Sequence, residues 1–181
     1  MIGYVIIPGL DGSDDVHWQS HWERDLDGPV VRIEPTSWTR PDLPDWISAI
    51  ERAVAKLDPG VDRVVLVAHS LGCWASAAWT ATADRAPHGL LFVAPPDPAA
   101  SGFPTERIPT FAGMQARPLP APSMVVASTD DPYCTLPAAK HLASGWRSEL
   151  RVIDGRGHLN SASELGGWPE GRQLLDDLTI R

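Results

Sequence analysis

The sequence predicts an α/β protein in which a mostly parallel sheet of about six strands forms the middle of a three-layer sandwich. Six short apolar runs recur along the chain, and each is continuous rather than alternating, which suits strands buried on both faces. Segments of helical period separate the runs. Because strand and helix alternate throughout, helices are expected on both faces of the sheet.

The predicted strands are rich in β-branched residues and lie at residues 4–7, 30–33, 64–67, 90–93, 124–127 and 150–153. The intervening helices are predicted at residues 15–25, 44–57, 71–83, 137–146 and 170–178. Within residues 44–57, Ile47, Ile50 and Val54 are spaced three and four apart, which places them on one helical face.

One long connection interrupts this alternation. Residues 95–122 are rich in proline and have little periodicity, so we expect an irregular segment that borders the functional site rather than a second domain. The other gaps are too short for an inserted cap domain. With 181 residues, the chain is expected to form one domain over 1–181.

Composition narrows the class of protein. A hydrophobic content of 43% with 21% charged residues is typical of a folded globular chain. The net charge of −8 disfavours nucleic-acid binding, and no apolar run approaches the roughly 20 residues that span a membrane. The first predicted strand begins too early for a leader peptide to precede it, so a cytoplasmic location without membrane contact is expected. The two cysteines cannot form a disulfide framework.

The strongest chemical signal follows the third predicted strand. Residues 64–67 continue through Ala68, His69 and Ser70 into a predicted helix, with Gly72 two residues after the serine. This is the context of a nucleophile elbow, a strained turn that requires small residues on either side of the nucleophile. The motif departs from G-x-S-x-G only in having Ala68 as its first small residue. The alternative is that Ser70 merely caps the helix.

A serine nucleophile needs a base and an acid that orients the base, expected downstream in the order Ser, Asp, His. Asp130 and Asp131 stand at the end of the fifth strand, and His158 follows the sixth strand after Gly155 and Gly157. Asp131 is preferred, although either aspartate could be the acid or a simple turn former. His158 is preferred over the five other histidines because of its position after the last strand.

Three other histidines lie near predicted functional elements or share a metal-ligand spacing. His69 adjoins Ser70, but its side chain is expected to point away across the turn. His17 and His21 are four residues apart on a predicted helix, yet no H-E-x-x-H glutamate lies between them, so no metal site is predicted.

Two backbone amides are candidates for an oxyanion hole. The amide of Leu71 begins the helix after Ser70, and that of Leu10 lies in the glycine-containing loop after the first strand. Alternatively, Gly9 and Gly12 only turn the chain towards the next helix.

With these residues in view, the chain resembles the YdeN-like, or retinoblastoma-binding-protein-nine-like, family of small serine hydrolases. The likeness covers almost the whole chain. It rests on His17-Trp18 with Trp22, Ser37-Trp38-Thr39-Arg40-Pro41 with Trp46, Val67-Ala68-His69-Ser70-Leu71-Gly72, Val93-Ala94-Pro95, Ser128-Thr129-Asp130-Asp131-Pro132-Tyr133, Gly157-His158-Leu159-Asn160 and Gly167-Trp168-Pro169-Glu170-Gly171.

The resemblance implies a minimal α/β-hydrolase fold without a large lid, and it carries the triad of the family onto Ser70, Asp131 and His158. It also implies that the aspartate before proline is the acid, and that activity is directed at small esters. No metal or organic cofactor is expected.

The expected substrate is a small-molecule acyl compound. Trp38, Trp74 and Trp168 are candidates to wall its pocket together with residues 95–122, which would favour short-chain or aromatic esters. Two alternatives stay open: a thioesterase or acyltransferase with the same triad, and a protein-binding module whose chemistry is vestigial. A protein partner is therefore compatible with the sequence.

Overall fold

A six-stranded parallel sheet forms the centre of the molecule in the computed structural model, which describes residues 1–180. The strands span Ile2–Ile7 (β1), Val30–Arg32 (β2), Arg63–His69 (β3), Gly89–Val93 (β4), Ser123–Ser128 (β5) and Glu149–Ile153 (β6). Their order across the sheet is β2-β1-β3-β4-β5-β6, and each neighbouring pair is parallel.

Five α-helices alternate with the strands, as predicted. They span Trp18–Asp25 (α1), Leu43–Ala55 (α2), Leu71–Thr80 (α3), Leu136–Trp146 (α4) and Pro169–Thr179 (α5). Helix α1 begins later than the sequence predicts because His17 caps it: the Nδ1 atom of His17 accepts a hydrogen bond from the Gln19 amide at 3.1 Å. The predicted alternation is confirmed, with ends displaced by a few residues.

The helices form two layers, one on each face of the sheet. Helices α2, α3 and α4 bury Trp46, Trp74 and Trp146 against one face, whereas α1 and α5 bury Trp22 and Leu175 against the other. Along β3, alternate side chains enter opposite cores, which is why its apolar run is continuous. Each fully buried aliphatic side chain contributes roughly 1.5–3 kcal/mol to stability.

The order of the strands creates a crevice at one edge of the sheet. The chain passes from β1 to β2 in one direction and from β3 to β4 in the other, so α1 and α3 leave the sheet on opposite faces. Ligands of open α/β sheets bind beyond the carboxyl ends of the strands at such a point. The loops after β1 and β3 are therefore placed to form a site.

Between β4 and β5 the chain is irregular apart from a short 3-10 helix at Pro109–Phe111. Ile108 and Phe111 are buried in the core beside α2. Across residues 1–180 no insertion forms a large cap over the sheet, as predicted. Nor does any helix within these residues have the length and apolar character needed to cross a membrane.

Candidate active site

Ser70 occupies a strained turn between β3 and α3. Its φ of 53° and ψ of −124° lie outside the regions that a non-glycine residue ordinarily adopts, at a cost of about 1–3 kcal/mol. The Ser70 amide donates to the Val93 carbonyl at 2.9 Å, which ties the turn to β4. The side chain makes no capping hydrogen bond to α3. The strained turn predicted from the sequence is therefore present, and the capping alternative is wrong.

Close packing explains why small residues surround the turn. A Cβ atom on Gly72 would lie 2.4 Å from the Ile7 carbonyl oxygen and 2.5 Å from that of Pro8. A Cβ atom on Gly9 would lie 2.7 Å from the Cβ of Ser70. The loop after β1 thus presses directly against the turn that carries the serine.

His158 and Asp131 complete a hydrogen-bonded chain with Ser70. The His158 Nε2 atom lies 2.8 Å from the Ser70 Oγ atom. On the other side of the ring, Nδ1 lies 3.0 and 2.9 Å from the two carboxylate oxygens of Asp131. All three residues are buried, at 8–9% exposure, so their hydrogen bonds are shielded from bulk water.

The two aspartates after β5 have different partners. Asp131 bonds to the ring of His158 and accepts the Tyr133 amide at 2.9 Å. Asp130 is exposed, and its carboxylate accepts the Ser128 hydroxyl and the Gly157 amide, both at 2.7 Å. These two hydrogen bonds lower the pKa of Asp130. Of the two aspartates, only Asp131 contacts the imidazole of His158.

Ser123 is remote from the hydrogen-bonded triad. It is the first residue of β5, at the amino ends of the strands, and its hydroxyl shares a hydrogen bond of 2.6 Å with that of Ser148. The site lies beyond the carboxyl ends of the strands, so Ser123 does not face His158.

Aromatic rings enclose the imidazole of His158. The ring of Tyr133 is 4.6 Å away, centroid to centroid, and that of His69 is 5.0 Å away. The expectation that His69 points away from the site is wrong: its Nε2 atom bonds to the His158 carbonyl at 3.0 Å. The position of Tyr133 directly after Asp131-Pro132 is a sequence signal that it lies near the acid, whereas no sequence signal indicates the orientation of His69.

Burial keeps two further histidines neutral. Desolvation lowers the pKa of His69 well below its usual value, and the nearby His158 lowers it further. Desolvation also lowers the pKa of His17 to about 4, against the opposing effect of Asp14. The rings of His17 and His69 lie 4.8 Å apart. Neither competes with His158 for the Ser70 hydroxyl.

Leu10 and Leu71 carry the candidate oxyanion amides: Leu10 lies in the loop after β1, and Leu71 begins α3 after β3. Asp11 and Gly12 donate their amides to the carbonyls of Trp38 and Gly9. Among the hydrogen bonds of the described residues, none uses the Leu10 amide. Leu10 and Leu71 both line the same cavity as Ser70.

That cavity has a volume of about 560 Å³, which is within the range of small-molecule sites. The connection between β4 and β5 forms one wall, as expected, and an ion pair between Arg107 and Asp11 joins it to the loop after β1. The cavity-lining residues are Leu10, Asp11, Gly12, Asp14, His17, His69, Ser70, Leu71, Pro96, Phe103, Pro104, Arg107, Ile108, Tyr133, His158, Asn160, Ser161 and Ala162.

The three tryptophans expected to wall the pocket do not line this cavity, and that prediction is wrong. Trp74 is buried against Trp146, and Trp168 packs against Trp18 on the other face of the sheet. Trp38 packs against Trp46 behind the loop after β1. Residues of the irregular connection line the cavity instead, namely Pro96, Phe103, Pro104, Arg107 and Ile108.

A metal centre has no support in the geometry. Within residues 1–180, no three His, Cys, Asp or Glu side chains lie together as metal ligands. His17, which is four residues from His21, uses its Nδ1 atom to cap α1.

The chain is similar to a known protein family and to solved structures. A family model described as serine hydrolase matches residues 4–177. A YdeN-like hydrolase from Pectobacterium atrosepticum is 33% identical, with 99% of this chain and 91% of that chain covered and a TM-score of 0.84. The ydeN gene product of B. subtilis is 21% identical, with 99% of both chains covered and a TM-score of 0.78. No curated protein matches the chain.

A more distant structure shares the fold alone. Alpha/beta hydrolase domain-containing protein 10 from mouse is 14% identical, with 97% of this chain and 90% of that chain covered and a TM-score of 0.71. The likeness confirms the α/β-hydrolase fold predicted from the sequence.

Proposed function

The chain belongs to the serine hydrolase family, and from this premise we propose that it hydrolyses small carboxylic esters through an acyl-enzyme intermediate on Ser70. The observation that carries the proposal is the hydrogen-bonded chain from Asp131 through His158 to Ser70 beside a small-molecule cavity. A serine hydroxyl is a weak nucleophile until a neighbouring base accepts its proton. Here the base is in contact with the hydroxyl.

In the first half of the reaction, His158 Nε2 accepts the Ser70 proton while Oγ attacks the ester carbonyl. The buried carboxylate of Asp131 keeps the other ring proton on Nδ1 and stabilises the imidazolium that forms. The tetrahedral intermediate collapses as His158 gives the proton to the departing alcohol, which leaves the acyl group on Ser70. No metal or organic cofactor takes part in these steps.

In the second half, His158 removes a proton from water, and the resulting hydroxide attacks the acyl-enzyme. The acid product leaves and Oγ regains its proton. In both halves, we assign the amides of Leu10 and Leu71 as hydrogen-bond donors to the developing oxyanion. Such donors are commonly worth about 10²–10³ in kcat each.

The cavity supports a small substrate with an apolar part. Its volume of about 560 Å³ suits a ligand of drug size or smaller. Leu10 and Phe103 are partly exposed and supply apolar surface in the cavity, and the buried Leu71 and Ile108 also line it. We therefore expect short-chain or aromatic esters to react faster than long-chain esters.

Steady-state hydrolysis of p-nitrophenyl acetate, butyrate and octanoate tests this function in the wild type, Ser70→Ala and Ser123→Ala. Ser70→Ala is expected to lower kcat/KM by at least about 10⁴-fold. Ser123→Ala is the matched control. Its kcat/KM should stay within about twofold of the wild type because Ser123 lies at the amino end of β5, away from the site. Undiminished turnover by Ser70→Ala would refute the role of Ser70, and activity on octanoate alone would refute the substrate class.

The same series should include a thioester of the preferred acyl group. The triad would serve either leaving group, so the ratio of the two kcat/KM values separates an esterase from the thioesterase alternative.

A further inference from the structure

The backbone that carries His158 is held in an unfavourable conformation. Gly157 has a φ of 55° and Leu159 a φ of 51°, so left-handed residues flank the histidine on both sides. Leu159 is also fully buried. A non-glycine residue keeps this conformation only where the surrounding structure holds it there.

Three side chains hold three successive residues of this loop. The Gly157 amide donates to the carboxylate of Asp130 at 2.7 Å. The Leu159 carbonyl accepts the indole N–H of Trp18 at 2.8 Å. Between them, the His158 carbonyl accepts from His69 Nε2 at 3.0 Å. A carbonyl oxygen can only accept, so Nε2 is the protonated nitrogen of His69.

The three side chains come from different parts of the fold, and two of them adjoin triad residues in the chain. His69 directly precedes Ser70, and Asp130 directly precedes Asp131. The Gly157 amide, just before the base, is therefore hydrogen-bonded to the neighbour of the acid. The carbonyl of His158 itself is hydrogen-bonded to the neighbour of the nucleophile.

We propose that Asp130, His69 and Trp18 form a peptide clamp that positions the imidazole of His158 for proton transfer with Ser70. The proposal rests on the function assigned above, and the three are positioning residues because their side chains act on the loop rather than on the reacting atoms. Displacement of a catalytic group by about 1 Å can cost about 100-fold in rate, so a clamp on the backbone has a measurable effect.

Asp130 offers the sharpest test because it is exposed, so its removal does not open the core. Asp130→Ala is compared with Asp154→Ala, which removes another exposed carboxylate just after β6. Asp154 bonds to the Thr129 hydroxyl and not to residues 157–159. We expect kcat to fall roughly 10- to 100-fold in Asp130→Ala with KM within about twofold, and Asp154→Ala to stay within about twofold of the wild type.

His69 supplies a second, independent pair of variants. His69→Gln retains an N–H donor for the His158 carbonyl, whereas His69→Phe retains a flat ring without a donor. If the clamp operates, His69→Gln recovers part of the kcat that His69→Phe loses, with both measured at a temperature where circular dichroism shows them folded. A purely packing role for His69 predicts the reverse order, because Phe preserves the ring contacts.

The outcomes separate the clamp from the proposed function. If the wild type hydrolyses esters in a Ser70-dependent way and Asp130→Ala matches Asp154→Ala in kcat, the clamp is wrong and the function stands. A rise in KM at unchanged kcat would also overturn the clamp, because it would place Asp130 in substrate binding. If the wild type shows no Ser70-dependent turnover, the function itself fails.

Discussion

The His158 Nε2 atom lies 2.8 Å from the Ser70 Oγ atom, although the two residues are 88 positions apart in the chain. Ser70 follows β3 and His158 follows β6, with β4 and β5 between these strands in the sheet. The parallel sheet brings both turns to its carboxyl edge, where the loops can meet. Each of the following predictions changes one part of this arrangement.

Asp131→Asn should lower kcat by about 10³- to 10⁴-fold. An amide at this position can donate to Nδ1 and so favours the wrong tautomer of His158. Asp130→Asn is the matched change, and it keeps an acceptor oxygen for the Gly157 amide. We expect a loss below about tenfold for that variant. Steady-state ester hydrolysis measures both, and equal losses would contradict the assignment of Asp131 as the acid.

Gly72→Ala should destabilise the protein by about 2 kcal/mol or more. Alanine normally favours a helix over glycine, but here its methyl group would meet the carbonyl oxygens of Ile7 and Pro8 at 2.4 and 2.5 Å. Gly102→Ala is the control because no atom lies within 4 Å of a Cβ at that position. Urea unfolding measures both variants, and a stabilised Gly72→Ala would show that the turn is not packed in this way.

Phe103→Ala should raise KM for short-chain esters about tenfold, because it removes apolar surface from the wall of the cavity. Trp38→Phe should change KM by less than about twofold, because Trp38 packs behind the loop and not in the cavity. Michaelis–Menten kinetics with p-nitrophenyl butyrate distinguish the two. A larger effect from Trp38→Phe would restore the aromatic pocket that the sequence suggested.

The protein should lose stability as the pH falls from 6.5 towards 4. Burial lowers the pKa of folded His17 to about 4, so the unfolded chain, with an ordinary histidine pKa near 6.5, binds the proton more readily in this window. The contribution of neutral His17 is complete above pH 6.5. Between pH 7 and pH 5, the free energy of unfolding should fall by about 2 kcal/mol through His17.

His17→Asn isolates this effect because asparagine also caps helices well but does not titrate. Urea unfolding at pH 7 and pH 5 should show a difference about 2 kcal/mol smaller in the variant than in the wild type. An identical pH dependence in the two proteins would mean that His17 is not the group responsible.

The fold could be predicted from the sequence because buried parallel strands leave a local signal. The run from Val64 to Val67 is apolar at every position since both faces of β3 are covered. The positions of Ser70, Asp131 and His158 could be predicted for the same reason: each lies within five residues of the end of a recognisable strand.

Side-chain directions could not be predicted in this way. The orientation of His69 depends on the His158 carbonyl, 89 residues away, and that of Trp18 depends on the Leu159 carbonyl, 141 residues away. The expected tryptophan pocket failed for the same reason, since the pattern that marks a tryptophan as apolar does not say whether it packs in a core or beside a cavity.

Covalent labelling of Ser70 tests the proposed chemistry most directly. The purified wild type and Ser70→Ala are incubated with a fluorophosphonate probe, and peptide mass spectrometry locates the adduct. We expect one adduct per chain on the peptide containing Ser70, and none on the variant. A folded wild type that remains unlabelled, or an adduct that persists in Ser70→Ala, would contradict the activation of Ser70 by His158.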